Sequence, residues 1–282
     1  MRQTKPIDEA KIAELKDLAR RVRVDSVKMI QHAGSGSPGS TLSVTDVLVW
    51  LYFHEMHIDN ADCRWDGRDR LVLSKGQASP AYYSIFAKLG WVSENELMGY
   101  RGFETRMQTH PEYSTIPAID YTSGSLGMGL SAANGMALAA RCQGNNDLRF
   151  FCIMGDGETQ EGQVWEAAMT AGHYKLSNVI NVIDRNVFQG DRACADVMNQ
   201  EPYAEKWTAF GWDVQVANGH SYTELASAMA AFDPAKPKLL IADTVKGKGV
   251  SFMEADNAWH TGGPKFDQAH LERAMQDLGS AS

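Results

Sequence analysis

From Asp8 to His32 the apolar positions Ile12, Leu15, Leu18, Ala19, Val22, Val27 and Ile30 return every three or four residues, which predicts a helix that Gly34 stops. The following AGSGSPGST stretch reads as non-helical, and Ser43 to His54 (SVTDVLVWLYFH) as a second, largely buried helix. The period then changes. Short continuous apolar runs at Arg70–Leu73, Arg149–Met154, Val179–Ile183, Trp212–Val216 and Leu239–Thr244 read as strands. Helical segments at Pro80–Leu89, Ser125–Arg141, Gly162–Tyr174, Pro202–Phe210 and Tyr222–Ala231 alternate with them. Strands of unbroken Val, Ile and Leu character between helices predict an α/β fold: a doubly wound, mostly parallel sheet with helices on both faces. No repeat, linker or composition break divides the chain. The expectation is one domain over residues 1–282, with N-terminal helices at 8–33 and a C-terminal helix near 266–278 packed outside.

The strand runs exit into Ser74-Lys75-Gly76, Gly155-Asp156-Gly157, Asp184-Arg185-Asn186, Asn218-Gly219 and Lys246-Gly247. Open α/β sheets bind ligands beyond the carboxyl ends of their strands, so these loops are expected along one edge. Asp156 and Asn186 stand at successive exits, and a βαβ crossover brings both to the same side. A carboxylate with an amide oxygen suits Mg²⁺ or Ca²⁺, and Gly155 and Gly157 would let backbone amides approach phosphoryl oxygens. Taken alone, the same residues also describe a tight βα turn and a capping asparagine.

Net charge of −8 argues against a general nucleic-acid or membrane-surface binder, which needs a cationic face. The N-terminal MRQTKPIDEAKIAELK has charges where a signal peptide needs an apolar core, and no apolar run is long enough to span a membrane. Cys63, Cys142, Cys152 and Cys194 are scattered without metal-ligand spacing, so reduced packing cysteines and a cytoplasmic location are expected.

GDG, EGQVWEA and KLSNVINVIDRN follow one another in a single frame. SGSPGS (Ser35–Ser40), GRDRLVLSKG (Gly67–Gly76), THPE (Thr109–Glu112), SGSLGMGLSAANGMALA (Ser123–Ala139), KGKGVSFME (Lys246–Glu254) and AWH (Ala258–His260) surround them in order. Together, from about Ala33 to His260, they resemble the thiamine-diphosphate (ThDP) signature of the transketolase family. The resemblance implies that Asp156, Asn186 and the backbone carbonyl of Phe188 ligand Mg²⁺ (or Ca²⁺). It implies that Gly155, Gly157 and Glu158 meet the diphosphate, and that Gly124, Ser125 and Leu126 line the cofactor, Leu126 against the thiazolium. His110 and His260 would face the substrate as catalytic residues. Glu161 and Glu166 would lie at a subunit interface between two active sites.

In that family the glutamate that activates the aminopyrimidine belongs to a second, pyrimidine-binding domain, and this sequence stops at Ser282 after the diphosphate-binding half. The resemblance therefore implies the first subunit of a split transketolase, partnered by a C-terminal subunit in a heterotetramer. Two positions depart from the family pattern. Ser37 and Gln77 stand where histidines meet the substrate end of the site and the cofactor diphosphate. Serine and glutamine hydrogen-bond but exchange no proton near neutral pH. Three readings stay open: ketol transfer from a changed or an ordinary ketose donor, decarboxylative carboligation from a 2-oxo acid, or a non-catalytic ThDP-binding subunit.

Overall fold

The computed structural model describes residues 5–190, 192–262 and 265–280. In chain order the elements are α1 (Glu9–His32), α2 (Pro38–Trp50), β1 (Arg70–Leu73), α3 (Ser79–Lys88), α4 (Gly129–Cys142), β2 (Phe150–Gly155) and α5 (Gly162–His173). Then come β3 (Val179–Arg185), α6 (Cys194–Val197), α7 (Tyr203–Ala209), β4 (Asp213–Asn218), α8 (Tyr222–Ala231), β5 (Lys238–Asp243) and α9 (Gln268–Asp277). The five strands form one sheet in the order β1-β2-β3-β5-β4, with every neighbouring pair parallel. All five expected strands are present, each within two residues of its expected bounds.

Alternation along the strands separates two apolar layers, because successive side chains point to opposite faces. Phe151, Ile153, Ile180, Val182, Leu240 and Ala242 face a core built with α1, α2, α3, α8 and α9. Cys152, Met154, Val179, Ile183, Leu239 and Ile241 face a second core built with α4, α5 and α7. Among the described residues no helix is long and apolar enough to cross a membrane. The four cysteines are free, but Cys142 is exposed, which corrects its expected role as a packing residue.

Two helix starts differ from expectation. α2 begins at Pro38 rather than Ser43, so the second half of the Gly-Ser run is helical. Proline suits the first turn, where its missing N–H has no partner to lose. Every residue of α2 is buried, so packing overrides the poor helix propensity of Gly39 and Ser40. At Gly39 a Cβ would come within 2.9 Å of Lys246 side-chain atoms and of the Trp259 carbonyl, so this helix passes a crowded point. α4 begins at Gly129 rather than Ser125, because Gly127 has φ of +85° and interrupts any helix there.

α2 is tied to the rest of its layer by a buried carboxylate. Asp46 accepts from Arg23 Nη2 at 2.6 Å, from Arg23 Nη1 and Tyr222 Oη at 3.1 Å each, and pairs with His220 Nδ1 at 2.6 Å. Burial alone would raise this carboxyl; Arg23 and His220 outweigh it and hold it well below the usual range. A folded pKa below the unfolded value near 3.8 gives stability that is complete above that value and lost as pH falls below it. Asp46→Ala should therefore cost about 3–5 kcal/mol in urea denaturation at pH 7, by leaving Arg23 buried without its partner. The cost should shrink as the unfolding experiment is repeated from pH 4 downward.

Candidate functional site

Four of the five strand exits meet around one cavity of about 430 Å³. The β1 exit supplies Lys75 and Gln77, the β2 exit Gly155 to Glu158, the β3 exit Asn186 and Phe188, and the β5 exit Lys246. Ser40, Leu126, Glu161 and His260 complete the wall. The fifth exit differs from expectation. Asn218, the last residue of β4, opens with His220 and Thr244 onto a separate hollow of about 590 Å³, because β4 is the outermost strand beyond β5.

Beneath the cavity floor lies Asp184, fully buried at the end of β3. It accepts from Ser43 Oγ at 2.6 Å, Thr244 Oγ1 at 2.5 Å and Asn186 Nδ2 at 3.2 Å, and is paired with the Lys75 ammonium. Burial would raise Asp184, but Lys75 outweighs it and holds the carboxyl low. One carboxylate thus joins α2 and the exits of β1, β3 and β5, and it fixes the Asn186 amide. Neither Asp184 nor Lys75 stood out in the sequence, since their pairing exists only once β1 and β3 flank β2.

Asp156 and Asn186 come together as expected, both almost fully buried. Asp156 Oδ1 accepts from Gly157 N at 2.8 Å and Oδ2 from Val187 N at 2.6 Å, and the Cys194 thiol lies against the same carboxylate. Asn186 Oδ1 accepts from Phe188 N at 3.1 Å. Val187, between them, has φ of +64°, unusual for a β-branched residue and costing on the order of 1–3 kcal/mol. The strained turn is what places the Val187 N–H on Asp156. Among the described residues no three of His, Cys, Asp and Glu converge as a metal cluster, so the candidate ligands are one carboxylate, one amide and one carbonyl. The donors fit a hard divalent cation. Burial, and then the Asp184 carboxylate, push Asp156 up to about 6, against the pull of the Gly157 and Val187 amides and of Lys75.

The glycines leave room near the site, but the expectation that their amides meet phosphoryl oxygens is corrected: Gly155 N donates to Glu158 Oε2 at 3.0 Å and Gly157 N to Asp156 Oδ1 at 2.8 Å. A Cβ added at Gly155 or Gly124 would meet nothing within 4 Å, and neither residue has positive φ, so the chain's own packing does not require glycine there. At Gly157 a Cβ would stand 2.8 Å from the Gln189 Cβ. Two buried lysines supply positive charge. Burial and then Lys75 bring Lys246 down to about 8; it donates to Asn257 Oδ1 at 2.6 Å and lies 3.0 Å from His260 Nδ1. Lys246 was quoted in a motif but given no role; a lysine at a buried strand exit is the signal that would have marked it.

Glu158 requires a correction. It lines the cavity, but its carboxylate is almost fully buried and its oxygens accept from protein donors rather than standing free for a ligand. Oε1 accepts from Gly127 N at 2.8 Å and from Ser74 Oγ, and Oε2 from Gly155 N at 3.0 Å. Burial raises its pKa against the pull of these donors.

The remaining candidates spread out from the cavity. Leu126 lines it, while Gly124 and Ser125 are exposed beside it. Gln77 lines it; Ser37, the N-cap of α2, is half-buried and makes no capping bond. His110 is exposed on the loop facing Gly76, whose Cβ would lie 3.2 Å from the imidazole. Burial and then Arg101 lower its pKa, so it is neutral at pH 7. Arg101, at φ +60°, was missed in the sequence. Glu161 is exposed at the rim against Gly127, and Glu166 is exposed on α5, away from the cavity wall.

Residues 15–281 match the family described as "Transketolase, thiamine diphosphate binding domain". The chain is 38% identical to the transketolase of Rattus norvegicus over 279 residues, covering 97% of this chain and 43% of that protein. It is 40% identical over 249 residues to the 6-deoxy-6-sulfo-D-fructose transketolase subunit SqwG of Clostridium sp. (strain MSTE9), covering 88% of this chain and 90% of that one. The crystal structure of transketolase from Campylobacter jejuni subsp. jejuni NCTC 11168 superposes with a TM-score of 0.86 at 31% identity, over 95% of this chain and 43% of that chain. The chain thus spans under half the length of full-size transketolases and nearly all of a transketolase subunit.

Proposed function

The chain belongs to the transketolase family, in its thiamine diphosphate binding domain, and from that premise we propose that it is the diphosphate- and metal-binding subunit of a two-chain transketolase. The enzyme transfers a two-carbon ketol unit from a ketose donor to an aldehyde acceptor. The observation that carries this reading is the convergence of Asp156, Asn186, Lys75, Lys246 and His260 on one cavity at the carboxyl edge of the sheet. ThDP, when bound, supplies a nucleophilic carbon and an electron sink.

The chain's own residues hold and orient it. Asp156 Oδ atoms, Asn186 Oδ1 and the Phe188 carbonyl would hold the metal, and Lys75 and Lys246 offset the diphosphate charge. Leu126 presents an apolar surface for the ring. Lys246 Nζ lies 3.0 Å from His260 Nδ1, and His260, in the cavity wall, would face the substrate's hydroxyls. His110, neutral at pH 7, is fit to accept a proton, with Arg101 beside it for an anionic substrate group.

The companion is a pyrimidine-binding subunit that supplies the activating glutamate, in a heterotetramer with two copies of each chain. That SqwG is named as a subunit and matches nearly end to end supports the split arrangement. SqwG is named for a sulfosugar, and Gln77 in the cavity wall removes a proton-exchanging group, so a donor other than the ordinary ketose phosphates is the best-supported choice. Gln77 and Ser37 also motivate a second reading, a 2-oxo acid donor.

The chain coexpressed with its companion, loaded with ThDP and Mg²⁺, should lengthen an aldehyde acceptor by two carbons from a ketose phosphate or from 6-deoxy-6-sulfo-D-fructose. Carbon dioxide release from a 2-oxo acid without any ketose conversion would replace this reading with decarboxylative carboligation. Ser37→His with Gln77→His should raise kcat/KM for ordinary ketose phosphates by about 10-fold or more; no gain would remove the two residues from donor choice.

A further inference from the structure

We propose that Glu158 is a positioning residue that locks the Leu126 loop to the metal turn, an inference that rests on the cofactor reading above. Three segments distant in sequence converge on its carboxylate: Ser74 at the end of β1, Gly127 in the cofactor loop, and Gly155 at the end of β2. Ser74 Oγ, while donating to Glu158, accepts from Gly129 N at 3.1 Å, so the first residue of α4 joins the same knot.

The knot fixes Leu126 by covalent geometry. The Gly127 N–H and the Leu126 carbonyl belong to one planar peptide unit, so holding the N–H orients the plane that carries Leu126. The loop has little room to slide. A Cβ at Gly127 would meet the Glu161 Cβ at 2.7 Å, and one at Gly129 would meet Ser74 side-chain atoms at 2.4 Å. Glu158 sits in the turn Gly157–Gln160 that Asp156 caps. Metal ligand and ring-contacting loop are thereby referenced to one rigid turn, which sets the distance between the diphosphate anchor and the apolar contact.

Glu158→Ala removes both carboxylate oxygens, so Gly127 N, Ser74 Oγ and Gly155 N all lose their acceptor. In the complex with the companion chain, the Kd for ThDP with Mg²⁺ should rise on the order of 10–100-fold. The Kd for inorganic diphosphate with Mg²⁺, which meets the anchor but not Leu126, should change by under about 3-fold. Hydrogen exchange in the peptide containing Gly127 should accelerate by about 10-fold or more, with β2 and β3 still protected. Ser74→Ala, a milder change, should weaken ThDP binding and speed exchange in the same directions, again with the diphosphate Kd changed by under about 3-fold. Equal weakening of ThDP and diphosphate would make Glu158 merely a fold-holding residue and overturn the proposal. Faster exchange with unchanged ThDP affinity would overturn it too. Failure of the wild-type complex to bind ThDP at all, while the variants fold, would instead strike the cofactor reading, and the positioning role would fall with it.

Discussion

Asp156→Ala is expected to weaken Mg²⁺-dependent ThDP binding by on the order of 10²–10³-fold while the protein stays folded. Removing one partner of a buried charge contact typically costs about 2–5 kcal/mol, and the middle of that span converts to this range of affinity. The lost group is the one anionic ligand in the set; Asn186 and the Phe188 carbonyl contribute only dipoles. Stability should change far less. Alanine leaves Gly157 N and Val187 N without their acceptor, a cost of about 1–3 kcal/mol for a fully buried group. Against that, the metal-free protein no longer holds a buried carboxylate beside Asp184, and the strained Val187 turn is free to relax. Calorimetric titration with ThDP and Mg²⁺, beside a thermal melt of the metal-free chain, separates the two effects. Unchanged affinity would refute the metal assignment, and a collapsed melt would place Asp156 in the fold rather than the site.

The sheet was legible because β2, β3 and β5 are buried on both faces and so read as unbroken apolar runs. The exits were legible too, since a parallel sheet puts Asp156 and Asn186 on one edge whatever the strand order. The strand order itself was not. That β5 inserts between β3 and β4 decides why Lys246 reaches the cavity and Asn218 does not, and nothing in local periodicity reports it. The start of α2 was hidden for a different reason. Gly39 and Ser40 have poor helix propensity, and only the burial of the whole helix makes Pro38 its first residue. In the site, residues next to a motif were found and those defined by pairing were missed. Lys75 and Asp184 are 109 positions apart, and Glu158 turns inward because Gly127 and Ser74 happen to offer donors behind it. Motif resemblance could name Glu158 but could not say which way it faced.

The purified chain, saturated with ThDP and Mg²⁺, should show no turnover, and adding the companion chain should restore it by at least about 10²–10⁴-fold, the range for a missing acid-base group. The acids around the cavity are already engaged or unsuited to this task. Asp156 would be taken up by the metal. Glu158 has its oxygens taken by Ser74, Gly127 and Gly155, and Asp184 is enclosed by Lys75, Ser43, Thr244 and Asn186. Among the described residues lining the cavity that leaves Glu161, exposed at the rim. Activating the cofactor needs a carboxylate held against its aminopyrimidine, and an exposed side chain with no partner to orient it does not meet the geometric demand of acid-base catalysis. Glu161→Gln in the reconstituted complex provides the internal control. If the companion supplies the activating acid, this variant keeps most of its activity and the companion's absence abolishes it. Turnover by the chain alone that vanishes in Glu161→Gln would instead make the single subunit a complete catalyst, with its rim glutamate as the activating group.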